Sequence, residues 1–240
     1  VELAHTFKYE ELLVQAKKMT EEFPDWHIAW HYVAVAYGLK GDHESAVANF
    51  LNSLKHKPSS TKALYGLSVS FHALKMYDKA IPCLLKYKKM HGADFRVCFC
   101  LGVNFAEIGR HEDAVKAFTE ALEFDNLNED AMFCLADSYR ILDQYDKAIY
   151  YYEKSLDIND KNVKVLHNTA VSYICMNNKD TAINYFKRVL RVNPDFLESL
   201  RELAQIYIDM GETDLAKPLI DHASTIDAKS ESFLELRNCL

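Results

Sequence analysis

The sequence predicts an all-α fold, a solenoid of stacked helix–turn–helix units, and three columns of residues in one frame predict it. Alanine recurs as Ala46, Ala80, Ala114, Ala148, Ala182 and Ala216, each 34 residues after the last. Nine residues upstream of each stands an aromatic: Tyr37, Phe71, Phe105, Tyr139, Tyr173 and Tyr207. Three residues earlier again comes a small residue: Ala34, Ser68, Gly102, Ala136, Ala170 and Ala204. A fixed period of this kind marks units that cannot bury their apolar faces alone and must stack on their neighbours. The small residue and the alanine mark where the two helices of a unit cross closely, because a larger side chain there would push them apart. The aromatic is expected to fill the space between units. Ala131, Leu135, Ala136 and Tyr139 recur at three and four residues, as one face of a helix requires.

Composition narrows the class further. Only 7 Gly and 5 Pro leave little for linkers and sit badly with a turn-rich all-β fold. A net charge of −7 argues against a general grip on nucleic acid, which needs a basic face. The six cysteines (Cys83, Cys98, Cys100, Cys134, Cys175 and Cys239) lack disulfide-framework spacing. They are expected to be free, buried thiols, which favours the cytoplasm, or the nucleus, over an oxidising compartment. No apolar run approaches the ~18 residues of a membrane span.

The stretch Cys98–Asn126 is the clearest copy of the unit, with Leu101-Gly102, then Phe105, Gly109, Ala114, Phe118 and Ala121. It resembles the tetratricopeptide repeat pattern of helix A, tight turn and helix B in about 34 residues. That resemblance implies a right-handed α-solenoid. In chain order, residues 1–26 form a partial repeat in which Tyr9 aligns with Tyr77 and Tyr145, and Pro24 with Pro58. The frame is expected to open inside a helix A, as in a piece of a longer array. Six full repeats follow at 27–60, 61–94, 95–128, 129–162, 163–196 and 197–230. Gly41, Gly109 and Gly211 fall at the A–B turn, and Asp143 and Asn177 stand in for glycine there. Pro58 and Pro194 lie between repeats, and Pro82 and Pro218 share a position early in helix B, where the convex face should tolerate them. Glu44, Asp78, Glu112, Asp146, Asp180 and Asp214 form a column at the start of helix B, favourable to the helix dipole. Residues 231–240 are expected to be a capping helix that covers the open end.

The resemblance also implies that helix A lines the concave face and that its second, fifth and ninth positions meet a ligand. The fifth position reads His31, Tyr65, Phe99, Phe133, His167, Arg201, and the ninth Val35, Val69, Val103, Asp137, Val171, Gln205. The candidate partner-binding residues are therefore Lys62, Tyr65, Val69, Arg96, Phe99, Val103, Phe133, Asp137, Lys164 and His167. Tyr65, Phe99 and Phe133 are expected to form an apolar ladder beside Val69 and Val103, flanked by Lys62 and Arg96. Such a strip suits an amphipathic partner segment carrying an acidic residue. The competing expectation is that these rings pack on neighbouring helices as core.

The two-carboxylate clamp of the family is not expected. Lys164 and Asn168 are four apart, but Phe133, Asp137, Glu198 and Glu202 occupy its other positions. The asparagine ladder of O-linked glycosyltransferase repeats is missing too. Cys98 and Cys100 point to different sides of a helix, so they make a poor metal clasp. His27 and His31 lie four apart but lack a third ligand in the local pattern. No phosphate loop, nucleophile elbow or metalloprotease motif is present. The expectation is a non-catalytic interaction scaffold without cofactors that takes a protein segment, neither nucleic acid nor membrane, and with ends open to self-association. The alternative is a substrate-docking arm of a larger enzyme or complex.

Overall fold

The computed structural model describes residues 2–227 and 231–239, and among them every regular element is an α-helix. Cα packing divides the chain into two units, Val1–Asn126 and Leu127–Leu240. The first holds α1 (Glu2–Glu22), α2 (His27–Lys40), α3 (His43–His56), α4 (Thr61–Ala73), α5 (Tyr77–His91), α6 (Phe95–Glu107) and α7 (His111–Phe124). The second holds α8 (Glu129–Ile141), α9 (Tyr145–Ile158), α10 (Val163–Cys175), α11 (Lys179–Val192), α12 (Leu197–Asp209), α13 (Thr213–Ile226) and α14 (Glu231–Asn238). Within each unit every helix packs on the next in sequence. Each unit is thus a run of stacked helical hairpins, the α-solenoid arrangement. Val1, residues 228–230 at the end of the sixth expected repeat, and Leu240 of the expected capping helix lie outside the described residues.

The tight turn between helices A and B repeats with the sequence frame. Gly41, Gly109 and Gly211 have φ of 85°, 76° and 77°, and Asp143 and Asn177 have 57° and 58°. Lys75, which sequence reading does not single out, completes the column with φ 58°. The residue after each turns its N–H back to the carbonyl of the aromatic column, as in Asp42 to Tyr37, Met76 to Phe71 and Arg110 to Phe105. This bond closes the orphan carbonyls of helix A's last turn. A lysine in the left-handed region costs about 1–2 kcal/mol that glycine would not. At the other junction, Ser60, Asp94, Asn128 and Asn162 accept a hydrogen bond from the backbone N–H three residues on and so cap four of the A helices.

A fourth column does most of the packing. Phe50, Leu84, Phe118, Tyr152, Phe186 and Ile220, one per helix B, are all buried, at 3% exposure or less. Full burial of such a side chain contributes about 1.5–3 kcal/mol. Phe118 of α7 lies flat against Gly102 of α6, where an added Cβ would sit 2.5 Å from its ring. The expectation that only a small residue fits there holds. Phe50 of α3 presses in the same way on Gly66 of α4 and so joins two successive hairpins. At the far end, Phe233 and Leu236 of α14 enter the apolar cluster of Leu203, Tyr207 and Ile220. Pro82 and Pro218 lie inside α5 and α13 on exposed positions.

Candidate partner-binding face

The fifth-position rings are anchored rather than free. In the first unit Phe99 packs on Phe118 with centroids 5.7 Å apart, and Phe95 stacks on its other side at 5.6 Å. Tyr65 packs on Tyr87 at 5.9 Å. In the second unit Phe133 meets Tyr152 at 6.0 Å and His167 meets Phe186 at 5.6 Å. All four remain partly exposed. Each ring thus packs on the core on one side and meets solvent on the other. Tyr65 and Phe99 belong to the first unit, and Phe133 to the second.

In the first unit, six candidates share the α4–α6 face. Val69, Phe99 and Val103 line one depression of about 200 Å³ together with Ser68, His72, Cys100 and Asn104. Ser68, Asn104 and one ring nitrogen of His72 are already engaged. The Ser68 hydroxyl donates to the Tyr65 carbonyl at 2.6 Å, and Asn104 Nδ2 donates to the Cys100 carbonyl at 2.7 Å. Asn104 Oδ1 can then only accept, so His72 donates to it from Nδ1 across 3.3 Å. What the depression offers a visitor is accordingly apolar, and Val69 is 44% exposed at its edge. Beside it the Arg96 guanidinium lies 5.5 Å from the Tyr65 ring centroid and 3.3 Å from Asp94. The Tyr65 hydroxyl reaches Cys100 Sγ at 3.9 Å. Burial, with Cys100 adding to it, pushes the Tyr65 phenol up to about 12, so it stays protonated. Lys62 is exposed one turn before Tyr65 on the same helix.

The second-unit candidates are less available. Asp137 Oδ1 accepts from Arg140 at 2.8 Å, from the Tyr152 hydroxyl at 3.1 Å and from Asn168 at 3.3 Å. It is the hub of a local network that satisfies a buried phenol. His167 Nδ1 pairs with the Ser199 hydroxyl at 2.8 Å, its ring lies between Phe186 and Phe196, and burial above all holds it below the usual histidine value. Lys164 is exposed in the first turn of α10. Sequence reading misses His72 and Asn104, because their role rests on a bond between two helices. Among the thiols only Cys98 is fully buried; Cys175 and Cys239 are exposed, which corrects the expectation that all six are buried. Among the described residues, no group of three or more His, Cys, Asp or Glu is placed to hold a metal, and no helix is long and apolar enough to cross a membrane.

A family model described as the tetratricopeptide repeat protein 21 C-terminal ARM domain matches residues 8–203. The chain belongs to this family. A general tetratricopeptide repeat model also matches residues 176–238 of the ARM-family chain. Compared by sequence with curated proteins, it finds no match. Among solved structures it is similar to the C-terminal part of a tetratricopeptide repeat-containing protein from Cytophaga hutchinsonii, with a TM-score of 0.81, 12% identity, and 95% of this chain and 94% of that one covered. It is similar to YrrB, described as a tetratricopeptide repeat protein with an unusual peptide-binding site, with a TM-score of 0.72, 18% identity and coverage of 78% and 96%. MamA gives 0.68, 22% identity and coverage of 72% and 94%. At these identities the likeness speaks for the fold alone, the stack of helical hairpins expected from the repeat columns.

Proposed function

We propose that this ARM-family chain is a non-catalytic scaffold that holds a short protein segment on the helix A face of its first unit. The observation that carries the reading is the apolar depression bounded by Val69, Phe99 and Val103, beside the exposed cations Lys62 and Arg96. It accommodates one aliphatic or aromatic side chain, and the cations favour an acidic residue near it in the partner. Burying one such anchor contributes about 1.5–3 kcal/mol. Tyr65, stacked under Arg96, is a rigid wall that loses little entropy on binding. In the second unit, taken by itself, Phe133 and Lys164 are the accessible candidates, whereas Asp137 and His167 are engaged locally. The family fold and the peptide-binding site described for YrrB support a segment as the ligand. The repeat frame of 27–60 through 197–230, with 231–240 as a cap, is the unit of this scaffold.

A random peptide library selected on the full chain tests the reading. Enriched peptides are expected to carry a large apolar residue next to Asp or Glu. Val69→Asp, at an exposed position, is expected to weaken them about tenfold or more while leaving the melting curve unchanged. Peptides that bind the variant as well as the parent would overturn the proposal.

A further inference from the structure

A second cavity of the first unit has a different chemistry. It measures about 320 Å³ and lies between α2 and the α3–α4 loop, lined by His27, His31, Tyr32, Lys57, Ser59 and Lys62 among others. Among the described residues no carboxylate lines it. Next to Lys57 in sequence, His56 Nδ1 lies 3.6 Å from Asp25. Burial holds both lining histidines below their usual value. Lys57 and His56 push His27 further down, and Lys62 and His27 do the same to His31. The charged neighbours that shift the two rings are basic. The His31 ring is fixed against Phe50 at 5.6 Å, and its Nδ1 is sealed from solvent with no partner among the described residues. Such an atom calls for a structural reason. The Ser60 hydroxyl oxygen accepts from the Ala63 N–H, which leaves its own proton free to donate into the loop.

We infer that this cavity is a subsite for a phosphorylated side chain of a partner protein. A phosphomonoester brings about −1.5 to −2 charges and three acceptor oxygens near neutral pH. Two lysines, two imidazoles that gain protons when an anion arrives, and several hydroxyls match that demand; a carboxylate would use only part of it. The cavity shares Lys62 with the cationic edge of the Val69–Phe99–Val103 depression but no lining residue with the depression itself, and this inference does not require that depression to be filled.

The test uses the full chain and three fluorescent peptide pools with random flanks and a fixed central phosphoserine, serine or aspartate. The phosphoserine pool is expected to bind at least tenfold more tightly than either of the others. Lys57→Ala, which removes the lysine that the two sites do not share, should reduce its affinity by about fivefold or more with the melting curve unchanged. In the imidazole NMR spectrum, phosphoserine peptide should raise the pKa of His27 and His31 and leave His222 of the second unit unmoved. Val69→Asp should leave the phosphoserine-to-serine ratio as it was, so that failure here and failure of the apolar site are told apart. Equal binding of the three pools would overturn the inference. So would full affinity in Lys57→Ala, or inorganic phosphate moving both histidines at the same midpoint as the peptide.

Discussion

Replacing Gly102 by alanine sets two effects of known sign against each other. An alanine in the interior of α6 should stabilise the helix by about 1 kcal/mol over glycine. Its Cβ, however, would stand 2.5 Å from Phe118 Cδ1 and Cε1, whereas carbon atoms rest about 3.5–4.0 Å apart. Phe118 must therefore move by about 1 Å. It is 1% exposed and has Phe99 against it, so it has no room to leave. Overpacking a tight core costs about 1–3 kcal/mol, and a site this closed belongs at the upper end. The net expectation is a loss of about 2 kcal/mol, or a melting temperature lower by about 4–8 °C for a chain of this size. Gly38→Ala is the control, since a Cβ there meets nothing within 4 Å; it should be neutral or slightly stabilising. Urea midpoints of Gly102→Ala, Phe118→Leu and the double variant form a cycle whose coupling should reach about 1 kcal/mol or more. A Gly102→Ala chain as stable as Gly38→Ala would show that the two helices can spread at no cost, and the packing argument would fail. Because Phe118 backs Phe99, the variant should also weaken peptides selected on the first unit.

Lys75→Gly should relieve the left-handed strain at φ 58°. Part of the gain is returned to the freer unfolded chain, so the net stabilisation is about 0.5–1 kcal/mol, read as a higher urea midpoint; a lower midpoint would contradict the turn argument. Burial, first of all, depresses His31 and His167 in the folded chain, with Lys62 assisting at His31 and Glu202 opposing at His167. The unfolded rings titrate near 6.5 and take up protons first as pH falls. The stability of the neutral rings is thus complete above pH 6.5 and declines below it, through the lowered folded values. Melting temperatures from pH 7.5 to 5 should fall, and less steeply in His31→Phe; a rise toward pH 5 would contradict this.

The hairpin stack was legible because its requirements are geometric and recur. Ala46 and its successors, Gly102, and the aromatic column each answer the same close approach every 34 residues. Gly41, Asp143 and Asn177 announce a left-handed turn because such residues tolerate it. Lys75 was not legible, since the surrounding stack imposes that conformation on a residue with no preference for it. The Val69–Phe99–Val103 depression was visible in part through its helix positions. That Asp137 also serves Tyr152 and Asn168 was not, because those two groups come from other helices, whereas Arg140 is its neighbour on α8. The second cavity was visible only in part: His31 and Lys62 stand in helix columns, but Lys57 and Ser59 lie in a loop, which those columns do not describe.

The most direct test of a partner segment on the helix A face is site-specific photo-crosslinking with a library-selected peptide. The photoreactive residue is placed either at Val103, beside the depression, or at Leu85, exposed on α5. The account requires strong crosslinks from Val103 and none from Leu85. Crosslinks from Leu85 alone would place the partner on the outer helices and contradict it.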